Sequence, residues 1–182
     1  LFNTRKDLSI YLTREPTDSI YGKEVRDLLA RIKNPLDRAK EFLNLYILDR
    51  GSHFQELKSM LDSGVIVICD RNAISTFCYQ GSQGIDYEHI KYKHEELIPK
   101  AHLLKADLNI ILDVSVNTAI KRMPNERDAF EKREFLEKLR KAYLEIDKEL
   151  NGWFGKVVVV DGNRKKSDVL EDIVKYVEPL LD

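Results

Sequence analysis

The stretch Val65-Ile66-Val67-Ile68-Cys69-Asp70-Arg71 decides the fold of this 182-residue chain. Five consecutive apolar, mostly β-branched residues read as a strand buried on both faces, as in a parallel sheet. Gly64 before it closes a helix, and Asp70-Arg71 stands where the strand ends. Open α/β sheets bind ligands outside the carboxyl ends of their strands. An adjacent carboxylate and guanidinium there suit phosphate and the cation that accompanies it. A surface ion pair capping a strand would read the same way, so the rest of the chain must decide.

Beyond the strand, Ser75 to Gln80 reads as a helical turn and Gly81-Ser82-Gln83-Gly84 as a loop. Before it, a long helical pattern runs from Leu36 to about Ser63, broken only by Gly51. Tyr46 and Arg50 lie four residues apart on it and share a face. An aromatic ring beside a guanidinium there would clamp a planar base; the alternative is a core Tyr46 and a solvated Arg50. Further upstream, Leu8 to Leu12 is a short strand ending in Thr13-Arg14-Glu15-Pro16, a second charged strand end. The helix that follows carries Val25, Leu28, Leu29 and Ile32 at helical spacing, with Arg26 off that stripe.

Downstream, Asp86 to Lys100 reads as a helix, and His89, His94 and His102 read as surface histidines without metal-ligand spacing. Leu108 to Asp113 is a third strand, again closing in a carboxylate, and Ser115 caps a helix from Val116 to Met123. A charged loop, Pro124 to Asp128, precedes a helix from about Phe130 to Leu150. The last strand is Lys156 to Asp161, followed by a helix from Ser167. This alternation predicts an α/β three-layer sandwich with a mostly parallel sheet, in one domain spanning 1–182.

A hydrophobic share of 43% and a charged share of 34% fit a soluble globular protein. The net charge of −1 gives no global field for nucleic acid or anionic membrane, so phosphate recognition must come from local arginines. No apolar run has the length of a transmembrane helix, and no signal-peptide pattern opens the given sequence. Cys69 and Cys78 lack CxxC spacing and read as buried, reduced thiols of a cytoplasmic protein. The chain starts at Leu1 rather than Met, and Leu1-Phe2 reads as the tail of a helix already under way, so further sequence is expected upstream.

Taken together, these segments resemble thymidylate kinase, the P-loop family that phosphorylates dTMP with ATP and magnesium. Thr13-Arg14-Glu15-Pro16 matches the family's T-R-E-P segment, and Tyr46 to Arg50 its aromatic-x-x-x-Arg. Asp70-Arg71, Ser75 and Tyr79-Gln80-Gly81 match its D-R-x-x-x-S-x-x-x-Y-Q-G signature. Asp107-Leu108 through Leu112-Asp113-Val114-Ser115 resembles its D-L-x-x-x-L-D-V-S strand.

The resemblance implies a role for each matching residue. Arg71 and Arg26 would hold the dTMP phosphate, with Arg14 and Tyr79 beside them, since guanidinium forks suit phosphate oxygens. Tyr46 would stack on the base, Arg50 would donate to a thymine carbonyl, and Thr76 and Gln80 would read the base edge. Glu15 would stand near the transferring phosphoryl group, and Asp70 beside Mg2+. Positioning and charge neutralisation suffice for phosphoryl transfer without a covalent nucleophile.

The resemblance also implies a homodimer, through the long helix after Pro35, and a mobile lid over ATP at 124–130. Here Ala129 replaces the arginine the lid commonly carries, leaving Arg127 or Arg122 to reach the phosphates. The family's opening strand, G-x-x-x-x-G-K-[ST] loop and helix have no counterpart in the chain. About 25 upstream residues are therefore expected, by the usual size of a βα unit. Two alternatives stand beside this reading: a related kinase acting on another nucleoside or monophosphate, and a non-catalytic nucleotide-binding paralogue or fragment.

Overall fold

The computed structural model describes residues 8–34, 36–99, 104–123, 132–150 and 152–181. The elements run β1 (Ile10–Arg14), α1 (Ile20–Arg31), α2 (Ala39–Asp62), β2 (Ile66–Asp70), α3 (Ala73–Ser82), α4 (Tyr87–Leu97), β3 (Asn109–Asp113), α5 (Val116–Arg122), α6 (Arg133–Glu149), β4 (Val157–Asp161) and α7 (Lys166–Val177). They group into two compact units that divide after Leu104. Among the described residues, no helix is long and apolar enough to cross a membrane.

In the first unit, β1 and β2 pair in parallel from Ile10↔Ile66 to Arg14↔Asp70. Parallel pairing requires a long crossover, and α1 with α2 supplies it. The register makes both strands end at the same level, and Glu15 N–H extends the ladder by donating to the Asp70 carbonyl at 3.0 Å. Val25, Phe42, Leu43, Ile47, Phe77 and Ile90 form the core and are fully or almost fully buried. Burying each such side chain contributes roughly 1.5–3 kcal/mol. Side-chain caps start three of the helices: Ser19 on α1, Asn72 on α3 and Asp86 on α4.

Three expectations change here. β2 is not buried on both faces: Ile68 and its ladder partner Leu12 are 40% and 72% exposed among the described residues. An unbroken apolar run carries no period, so sequence pattern cannot tell a one-face strand from a two-face strand. α2 passes through Gly51 without a break, because the turns on either side bury Ile47 and Phe54. α3 also continues through Gly81 to Ser82. A Cβ on Gly81 would stand 2.3 Å from Tyr87 Cε1, so this glycine serves close packing rather than a turn.

In the second unit, β3 and β4 pair in parallel from Asn109↔Val157 to Asp113↔Asp161. Buried Asn109 donates to the Phe154 carbonyl at 2.9 Å. α6 buries Phe135, Leu139 and Ile146 on one helical face, and Ile111 and Val160 are buried on the strands. Ser115 caps α5 as expected, accepting from Thr118 N. The two strand ends are joined by Gly162 N–H donating to the Asp113 carbonyl at 2.8 Å.

Candidate nucleotide site

The carboxyl ends of β1 and β2 bring Arg14, Glu15, Asp70 and Arg71 together, as the shared register dictates. Arg14 and Asp70 are exposed, while Glu15 is buried. Arg71 takes φ 69°, the left-handed region that costs a side-chain-bearing residue about 1–2 kcal/mol. Its guanidinium lies 5.4 Å from the ring centroid of Tyr79, one helical stretch further on α3. A strained arginine between a strand end and a ten-residue helix is well placed for an anion, since helix N-termini favour negative charge.

Arg50 sits beneath this layer and is only 1% exposed, so it is neither a solvated residue nor an open clamp. Its Nε donates to Glu15 Oε2 at 2.9 Å, and Nη2 lies 2.7 Å from the same oxygen. Nη2 also donates to Thr76 Oγ1 at 3.0 Å, and Nη1 lies 2.9 Å from His94 Nε2. His53, one turn along α2, places Nδ1 3.2 Å from Glu15 Oε1, and its Nε2 lies 2.8 Å from Thr13 Oγ1. Glu15 thus holds Arg50 in place.

His94 overturns its surface assignment: it is completely buried. A histidine among the Lys and Glu of α4 gave no sign of this, since its burial comes from α2 and α3. His89 is exposed as expected, and His102 lies outside the described residues.

Asp49, the neighbour of Arg50, was also invisible to motif reading. Buried on α2, it accepts from Thr17 N at 2.8 Å, Thr17 Oγ1 at 2.5 Å and Ser19 Oγ at 2.6 Å. It therefore fixes the loop between β1 and α1. Arg26 braces the same loop: it donates to the Thr17 carbonyl at 2.8 Å and to Asp18 Oδ1 at 3.0 Å.

Tyr46 is half-buried and stacks against Phe42, with centroids 6.2 Å apart. Gln80 is 1% exposed; its Nε2 donates to Gln83 Oε1 at 2.9 Å, while its Oε1 has no hydrogen-bond partner among the described residues. Arg122, in the second unit, donates to the carbonyls of Gly162 and Asn163 at 2.9 and 3.4 Å. Arg127, with the lid segment 124–130 and Ala129, lies outside the described residues.

Glu15, His53 and Cys69 place ligand atoms within 4.8 Å of one another, a spacing that a transition metal bridges. In this cluster Arg50 pairs with Glu15, and burial, with the Glu15 charge adding to it, pushes the Cys69 thiol up to about 12. His53 Nδ1 is within hydrogen-bond distance of Glu15 Oε1, while Cys69 Sγ donates to the Arg71 carbonyl at 3.0 Å.

Parallel βα units whose strand ends gather arginines and carboxylates suit phosphate handling, and the family that matches the chain has the P-loop nucleoside monophosphate kinase fold. The thymidylate kinase family model matches residues 2–173. The chain is 32% identical to a probable thymidylate kinase of Archaeoglobus fulgidus, over 97% of this chain and 84% of that protein. It is also 32% identical to a probable thymidylate kinase of Methanocaldococcus jannaschii, over 95% of this chain and 85% of that one. With a thymidylate kinase of Brachyspira hyodysenteriae the identity is 29%, over 93% and 78%. The chain belongs to the thymidylate kinase family.

Proposed function

We propose that this protein transfers the γ-phosphoryl group of ATP to dTMP, within a single nucleotide-kinase domain. The observation that carries the choice of base is the buried Oε1 of Gln80, which has no partner among the described residues. Leaving a buried acceptor unpaired costs roughly 1–3 kcal/mol. A ligand N–H removes that cost. Thymine offers one at N3, whereas cytosine carries an acceptor there. Arg50, a donor beside Thr76, suits the thymine carbonyl by the same logic, and Tyr46 offers a π-face for the ring.

Arg71 is the anchor for the acceptor phosphate, with Arg14 at the neighbouring strand end. Arg26 reaches the same loop but spends its donors on it, so its part is to brace the loop more than to grip the ligand. Glu15, read by resemblance as a carboxylate at the reacting phosphates, acts here by holding Arg50. Asp70 is an exposed hard carboxylate at the strand end, which fits the oxygen-rich, partly hydrated shell that Mg2+ prefers. Magnesium, when bound, neutralises the phosphate charge during transfer. Arg127 and Arg122 are the proposed cations of the ATP lid, and the resemblance supports a cytoplasmic homodimer.

The test is ADP production from ATP and magnesium with dTMP, dUMP, dCMP, dGMP and deoxythymidine in turn. Turnover highest with dTMP is the expected result. A preference for dCMP would overturn the reading of Gln80 and Arg50, and a preference for deoxythymidine would overturn that of Arg71.

A further inference from the structure

We propose that His94 is a specificity-determining positioning residue, a neutral imidazole that sets the orientation of the Arg50 guanidinium toward the base. The inference rests on Arg50 reading the base, as argued above. His94 is completely buried, and its ring is held on three sides. Nδ1 lies 2.9 Å from the Ile90 carbonyl, which can only accept, so Nδ1 carries the proton. Nε2 is then bare and accepts from Arg50 Nη1 at 2.9 Å. The Phe77 ring stacks on the imidazole, with centroids 5.3 Å apart and planes 21° apart.

These restraints pass directly to Arg50. A guanidinium is planar, so fixing Nε on Glu15, Nη2 on Thr76 and one Nη1 proton on His94 fixes the remaining Nη1 N–H as well. That last donor has no partner among the described residues. Glu15 and Thr76 hold one edge of the fork. His94 alone among the described residues holds the other, and it does so without adding charge. A side chain that donated at this position would face a donor, and the guanidinium would turn away. An aliphatic one would leave the Nη1 edge without its acceptor, held only through Glu15 and Thr76, and a less restrained donor tolerates the amino group of cytosine better than a fixed one.

The experiment measures dTMP and dCMP dissociation constants by calorimetry for the protein and for His94→Leu, His94→Gln and Arg50→Lys. His94→Leu should weaken dTMP roughly tenfold and narrow the dTMP over dCMP ratio by a similar factor, the loss expected for one charge-assisted hydrogen bond. His94→Gln places an amide oxygen near the former Nε2 and should restore most of the ratio. A merely structural histidine would change stability and leave the ratio alone, and that outcome overturns the inference. If Arg50→Lys leaves dTMP binding intact, the underlying reading of Arg50 fails instead. Should His94→Leu not fold, nitrogen NMR of the unmodified protein decides: a bare Nε2 on His94 supports the inference, and an Nε2–H tautomer overturns it.

Discussion

Glu15 and Arg50, 35 residues apart in sequence, form an ion pair with side chains only 3% and 1% exposed. Removing one partner of such a pair strands a charge in the interior, which costs about 3–5 kcal/mol. Glu15→Gln should therefore lower the unfolding free energy by about that amount, with a reduced urea midpoint at unchanged slope. A change below about 1 kcal/mol would show that the pair is solvated in the native protein.

Asp49, one residue before Arg50, holds the loop between β1, which ends in Arg14, and α1, which carries Arg26. Asp49→Ala removes the acceptor for the Thr17 amide and for two hydroxyls, and should cost about 2–4 kcal/mol. It should also weaken dTMP binding, because the freed loop must be ordered again on association. Paired thermal melts and calorimetry check both parts. The same loop explains Gly22: a Cβ there would stand 2.1 Å from the Thr17 carbonyl oxygen, so Gly22→Ala should destabilise by about 1–3 kcal/mol through overpacking.

The parts of this fold that follow from local pattern were legible. The four strands end in charged residues where expected, and Ser115 caps its helix. The parts set by three-dimensional packing were not. Gly81 looks like a turn residue until Tyr87 is seen pressed against it. His94 looks like a surface residue because α4 is rich in Lys and Glu, yet its position faces Phe77 and Arg50. The arginines were legible as a set, but their division of labour was not. Whether a guanidinium faces phosphate, as proposed for Arg71, or another side chain, as for Arg50, depends on burial that no spacing records.

Arg71 stores backbone strain at φ 69° while its side chain is assigned to phosphate. Arg71→Gly removes both. Stability should hold or rise by about 1 kcal/mol as the left-handed conformation loses its steric penalty. Binding of dTMP should fall by at least about tenfold, the size of one charge-assisted contact. A variant that is both less stable and equally good at binding would contradict the assignment.

The two cysteines should be inert in the native state. Burial pushes Cys69 up to about 12 and raises Cys78 above its ordinary value as well. Since thiolate is the reactive form, Ellman's reagent at mildly alkaline pH should label neither thiol in the folded protein. Both of the chain's cysteines should react once it is unfolded in guanidinium. Rapid labelling of Cys69 in the folded protein would mean that its thiol is not held against the Arg71 carbonyl, 3.0 Å away.

His94 makes stability pH-dependent in a defined direction. Unfolded, it titrates near its ordinary 6.5; folded, burial first and the Arg50 charge second hold it down to about 3. Arg50 is the charge facing it from α2, and α3 presents the uncharged Phe77 ring. Between those two values the unfolded chain binds a proton that the folded chain refuses. This contribution is therefore fully present above pH 6.5 and is lost as pH falls toward 3. Well below pH 6.5 the slope from this one group approaches about 1.4 kcal/mol per pH unit. Urea midpoints measured from about pH 7 to about pH 5 should fall more steeply for the unmodified protein than for His94→Gln, which has no proton to take up. Equal slopes would mean that His94 titrates normally in the fold, and with a charged imidazole it could not accept from Arg50.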